Sequence, residues 1–199
     1  MTSRDSILAS VARNRPPGDY PLPTIPYFRQ PEDKRLATFL HNLAAMGGSV
    51  ITGSPETDTI DLVRDKLIGS VICSATDEIE GNRRLGDVAE PRDLADVDVG
   101  IVRALLGVAE TGSVLFTEEE LVINTLAYLA QNLIVLLDPA DIVPGIQDAY
   151  ARPEFHQAGY AVFHTGPSAT GDIEGVMILG AQGVRSLTVA LIPRAKAAL

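Results

Sequence analysis

The chain has 199 residues and a formal net charge of −10, with 46% hydrophobic and 21% charged residues. That length suits one domain with a sizeable core, and the acidity argues against a nucleic-acid partner, whose phosphates must be neutralised by Lys and Arg. No apolar run approaches the roughly 18 residues of a membrane span. No uninterrupted apolar segment marks a signal peptide, so the sequence reads as cytoplasmic. The single cysteine, Cys73, excludes an internal disulfide and any cluster held by several cysteines of this chain. It ends an apolar run and reads as a buried, inert thiol.

Residues 1–29 read as a helix followed by a proline-rich arm. Ile7, Leu8 and Val11 have helical spacing after a capping-type Ser3, and the segment "RPPGDYPLPTIPYF" is extended, lying across the body or reaching a partner. Residues 30–199 read as an α/β domain. The clearest helix is "PEDKRLATFLHNLAAMGG", where Leu36, Phe39, Leu40, Leu43 and Met46 form one stripe and Gly47-Gly48 stop it. His41 falls on its polar side. "SVIT" is a short strand, and Ser54-Pro55 opens a second helix with Ile60, Val63 and Leu67 inward. "SVICS", "DVDVGIV" (with Val97, Val99 and Ile101 on one face) and "GSVLFT" are strands, with "RALLGVAET" a short helix or turn before the last. "NTLAYLAQ" is helical. "LIVLLD" is a continuous apolar run, as expected of a strand buried on both faces. "PADIVPGIQDAYAR" is a helix in which Pro144 marks a break or a late start. "YAVFHT" and "SLTVALIP" are the final strands. Strands alternating with helices, and apolar on both faces, specify an α/β fold with a mostly parallel sheet flanked by helices. No internal repeat is visible.

Ligands of such sheets bind beyond the carboxyl ends of the strands. Four loops qualify: "SATDEIEGNRRL", "AETGS", "HTGPSATGDIEG" and "GAQGVRS". Glu110 of "AETGS", beside Thr111 and the turn-forming Gly112, could act as nucleophile or general base. It could equally cap an element or pair with a cation. In "HTGPSATGDIEG", Gly166 and Pro167 shape a turn, and Ser168 or Thr170 can cap a following helix. Such a helix start favours an anion, whereas Asp172 and Glu174 oppose one and suit a hydroxyl or a cation. Their i, i+2 spacing aims them apart, so they do not chelate one ion together. A capped helix start with acidic residues suiting the dipole explains the same four residues. Gly180 and Gly183 around Gln182 allow close backbone approach but form neither a P-loop nor a dinucleotide fingerprint. His41, His156 and His164 make no metal-ligand pair; His164, at a strand end, could enter the same pocket. A Ser-His-Asp triad of Ser168, His164 and Asp172 lacks the nucleophile-elbow pattern.

Together, "AETGS", "GPSATGDIE" and "GAQGVRSLTVALI", in this order and spacing, resemble the LUD domain, the lactate-utilization protein C family, over residues 30–194. The resemblance implies a fold similar to ribose-phosphate isomerases and coenzyme A transferases. It also implies an accessory role in bacterial oxidation of L-lactate to pyruvate, beside companion proteins that carry the iron–sulfur clusters; no cofactor is expected on this chain. The residues carried over are Glu110, Thr111 and Gly112; Gly166, Pro167, Ser168, Thr170, Asp172, Ile173 and Glu174; Gly180 and Gly183. The family usually reads G-x-H-G-P in the last motif, where this chain has Gln182 and Val184. Gln182 can hydrogen-bond but cannot shuttle protons near neutral pH. Expected site residues are therefore Glu110 as catalytic group, with Thr111, Gly112, Gly166, Ser168, Thr170, Asp172 and Gln182 around a small molecule, and no metal. A stand-alone sugar-phosphate or acyl-coenzyme A enzyme using Glu110 is one alternative; a non-catalytic metabolite sensor is another.

Overall fold

The longest apolar runs of the sequence form the middle of a parallel sheet. The computed structural model describes residues 2–26, 31–67 and 71–194. In chain order the elements are α1 (Ser3–Asn14), α2 (Arg35–Ala45), β1 (Ser49–Ile51), α3 (Thr59–Arg64), β2 (Ile72–Ser74), β3 (Val99–Arg103), β4 (Leu106–Val108), β5 (Ser113–Thr117) and α4 (Glu118–Leu121). Then follow α5 (Leu126–Leu129), β6 (Asn132–Leu137), β7 (Ile142–Val143), α6 (Ile146–Tyr150), α7 (Pro153–Gln157), β8 (Ala161–His164), β9 (Ala169–Thr170), β10 (Ile178–Leu179) and β11 (Ser186–Leu191), with short 3₁₀ turns between.

Five strands make an all-parallel sheet in the order β1-β11-β6-β3-β2. Its faces are covered from both sides, which is why β6 reads as an unbroken apolar run. Leu133, Val135 and Leu137 pack with Phe39 and Leu43 of α2 on one face. Ile134 and Leu136 pack with Val63 of α3 on the other. A second sheet, β7-β4-β5-β8, is mostly antiparallel and carries Leu106, Val108 and Leu115 in a smaller core. β9 and β10 form a separate antiparallel hairpin.

The second sheet differs from the sequence reading. The stretch read as a helix or turn is the end of β3 and all of β4, because Leu106 and Val108 are buried between β5 and β7. The helix read over 139–152 splits into a 3₁₀ turn, the short strand β7 and α6. Pro144 stands at the break, since it has no N–H to continue a ladder or a helix. α3 begins at Thr59, not at Ser54-Pro55, with the Asp58 carboxylate accepting the Ile60 N–H at 2.8 Å. Val97 lies outside β3 and joins a different core cluster from Val99 and Ile101. On α2, Phe39 and Leu43 are buried, but Leu36 and Met46 face solvent. Ser70, read as the start of a strand, lies outside the described residues.

α1 is capped by Thr2 and Asp5 rather than by Ser3, and it buries none of its residues. Ile7, Leu8 and Val11 are all more than half exposed. Among the described residues, no helix is long and apolar enough to cross a membrane.

Candidate functional site

α2 ends where two of the expected motifs arrive. The turn between β4 and β5 contains Gly112, with φ +67°, and a side chain there would overlap the backbone of Asn42 and Leu43. Gly166, with φ +68°, follows β8, and a side chain there would overlap the Met46 carbonyl. Only glycine meets both demands, a left-handed backbone and a neighbour in contact. Asn42 completes the junction. Its Nδ2 donates to the carbonyls of Ala109 at 2.8 Å and Glu110 at 2.9 Å. The third motif joins the second through the backbone: Ser168 N–H donates to Val184 O at 2.9 Å, and Gly180 N–H to Ser168 O at 2.8 Å.

Two clefts flank this junction. The larger, about 350 Å³, is lined by Asn42, Ala45, Met46, Glu110, Thr111, Ser113 and Thr165. Glu110 is exposed, and its Oε2 accepts the Ile146 N–H at 3.0 Å, so the carboxylate sits at the start of α6. That is the capping alternative read from the sequence, and it leaves the side chain in the cleft wall. The second cleft, about 230 Å³, is lined by Tyr128, His164, Thr165, Gly166, Pro167, Ser168, Gln182 and Gly183 with apolar neighbours. Thr165 belongs to both. A chain of hydroxyls runs from it into the junction: Thr165 to Ser113 at 2.6 Å and Ser113 to Thr111 at 2.7 Å.

His164 lines the second cleft as a partly buried ring. Its ring meets Phe116 edge-on at 5.4 Å between centroids and Tyr128 at 5.1 Å. Nε2 is buried without a hydrogen-bond partner. Burial pushes its pKa down to about 4, so the imidazole is neutral at pH 7. Burial also raises the Tyr128 phenol, whose hydroxyl pairs with that of Tyr160.

The structure thus brings Glu110, Thr111 and Gly112 to one side of the junction and Gly166, Ser168 and Gln182 to the other. Thr170 and Asp172 line neither cleft. They lie in the β9–β10 hairpin, where the Asp172 N–H donates to Thr170 Oγ1 at 3.3 Å. No helix follows Ser168 or Thr170, so the expected helix start with its affinity for anions is absent there. Tyr128 and Asn42 carried no signal in the sequence: each reaches its place through contacts remote along the chain. Among the described residues, no group of three or more His, Cys, Asp or Glu side chains could hold a metal ion.

A third cleft, about 290 Å³, opens beyond the carboxyl ends of β2 and β3, at the loop "SATDE". Arg103, 8% exposed, pairs there with Glu78 and donates from Nη1 to Ile192 O at 3.1 Å. Arg194 answers from the other side, donating to Ala104 O at 2.9 Å and to Asp141 Oδ2 at 2.9 Å. Both arginines satisfy carbonyls at strand ends. Burial raises the Glu78 pKa, but its bonds to Arg103 and Thr76 outweigh this and hold the carboxyl below its usual range.

These features define an α/β protein with a mostly parallel central sheet, whose candidate site lies where the mostly antiparallel second sheet meets the end of α2. The family model of the LUD domain matches residues 89–192, and the chain belongs to the LUD domain family. A crystal structure of a DUF162 family protein from Deinococcus radiodurans, a designation corresponding to the LUD domain, shares the fold. The TM-score is 0.60 at 13% identity, covering 81% of this chain and 98% of that chain. No curated protein matches the chain.

Proposed function

We propose that this LUD-domain protein is an accessory component of bacterial L-lactate utilization, acting with companion proteins that carry iron–sulfur clusters. It would hold a small molecule at the junction of its two adjoining clefts. The observation that supports this most is that the family segment, 89–192, contains both motif loops at that junction, and that Thr165 lines both clefts. The site so proposed comprises Glu110, Thr111, Gly112, Gly166, Ser168 and Gln182; it leaves out Thr170 and Asp172. The lone cysteine supports the division of labour, because a cluster needs several thiolates. Deletion of the gene is expected to abolish growth on L-lactate, and the tagged protein to co-purify with a companion redox protein. Intact growth together with no companion would remove this role.

The place of Glu110 in the wall of the larger cleft favours a second reading, a stand-alone enzyme acting on a sugar phosphate or an acyl-coenzyme A with Glu110 as base or nucleophile. The two readings part on turnover by the purified chain alone, which only the second requires.

A further inference from the structure

We propose that the His164 cleft receives an uncharged, planar, hydrogen-bonding head group, such as a carboxamide- or carbonyl-bearing heterocycle, and disfavours a free anion. The inference rests on the small-molecule half of the reading above and is independent of lactate. Its first ground is charge. The chain carries 26 acidic and 16 basic side chains, yet among the described residues no Asp, Glu, Lys or Arg lines this cleft. An anion entering it would shed water and gain no counter-ion.

The second ground is the backbone. An anion could still be held by free N–H groups at a helix start, but the chain after Ser168 enters a hairpin, and the Ser168 N–H is already given to Val184 O. The third is the set of groups that remain. His164 lines the cleft, and its Nε2 lies just beneath the surface with no hydrogen-bond partner among the described residues; a neutral donor or acceptor that displaced a neighbouring side chain would satisfy it. Tyr128 and His164 supply flat walls fixed by their mutual contact. Ser168 and Gln182 add uncharged polar groups at the rim, and the amide of Gln182 can both donate and accept.

A matched pair of probes isolates the charge. Nicotinamide and nicotinate share a ring and nearly a size, and differ in a carboxamide against a carboxylate. Ligand-observed NMR and calorimetry on the full chain at neutral pH should show millimolar binding of nicotinamide and about tenfold weaker binding of nicotinate. The ¹⁵N signals of the His164 imidazole should move with nicotinamide. His164→Phe should lose that binding. Gln182→Lys, at an exposed loop position, should fold with an unchanged urea midpoint, recruit nicotinate and reverse the preference. Equal or tighter binding of nicotinate by the unaltered chain would overturn the proposal, as would binding of neither probe at tens of millimolar. So would a preference that Gln182→Lys leaves unchanged. Growth on L-lactate tests the other reading separately: nicotinamide binding by a protein dispensable for growth would keep this inference and remove that role.

Discussion

The two clefts share a wall but not a chemistry. On the Glu110 side a carboxylate lies in the open, held by a backbone N–H at the start of α6. On the His164 side an imidazole is mostly buried between Phe116 and Tyr128, and among the described residues no formal charge lines the space. Both are assembled by the same device, a left-handed glycine after a strand pressed against the last turn of α2. The difference teaches that motif glycines build the junction, whereas the side chains opposite them set its polarity. Glu110 arrives from the β4–β5 turn. His164 arrives from β8, whose pairing with β5 sets it opposite Val114.

Three changes would break or sharpen this contrast. The largest effect is expected at the shared scaffold. Gly166→Ala puts a Cβ on a left-handed backbone and against the Met46 carbonyl, at a combined cost of about 2–4 kcal/mol. Urea unfolding should show a lower midpoint, and both clefts should be affected together. If stability holds, the glycine is not what joins the two sides.

The second effect belongs to the buried cleft. A histidine whose folded pKa lies near 4 binds its proton less readily than the unfolded chain does. Its neutral form therefore favours the fold above pH 6.5, and that contribution falls away as the pH drops from about 6.5 through about 4, at most about 3 kcal/mol in all. The rings of Phe116 and Tyr128 that face it do not titrate in this range, and Tyr160 is linked to Tyr128 through its hydroxyl. Unfolding free energies of the wild type and His164→Phe should therefore diverge in pH slope only within that window. Parallel slopes would show that His164 is solvated.

The smallest effect belongs to the open cleft. Glu110→Gln keeps an acceptor for the Ile146 N–H and loses only the charge near the start of α6, so stability should fall by less than about 1 kcal/mol. A larger loss would mean that Glu110 is structural, and a turnover lost without it would favour the enzyme reading.

The parallel half of the fold was legible because burial on two faces writes itself into sequence: "LIVLLD" became β6, and Phe39 and Leu43 became the inward side of α2. The antiparallel half was not. β4 has three residues with Gly107 in the middle, and β7 has two beside Pro144, so neither shows a period; only their partners make them strands. The stretch after Ser168 misled for a chemical reason. Small hydroxyl and acidic residues serve helix caps and hairpin turns alike, and here Gly171 and Gly175 belong to a hairpin. Glu110 was legible both as a possible catalytic group and as a cap, and the structure shows the cap contact. His164 could be placed near the pocket from its position at a strand end. That its ring would be enclosed by Phe116 and Tyr128 depended on a tertiary contact that no local pattern records.

Cys73 has a practical consequence. It sits fully buried in β2, its Sγ within 3.5 Å of the Arg83 carbonyl, with burial raising the thiol pKa and so suppressing the reactive thiolate. A thiol reagent therefore meets sulfur only when the edge of the parallel sheet opens. Since the chain has no other cysteine, its rate of alkylation is a clock for that opening, read at one known strand and without adding any label.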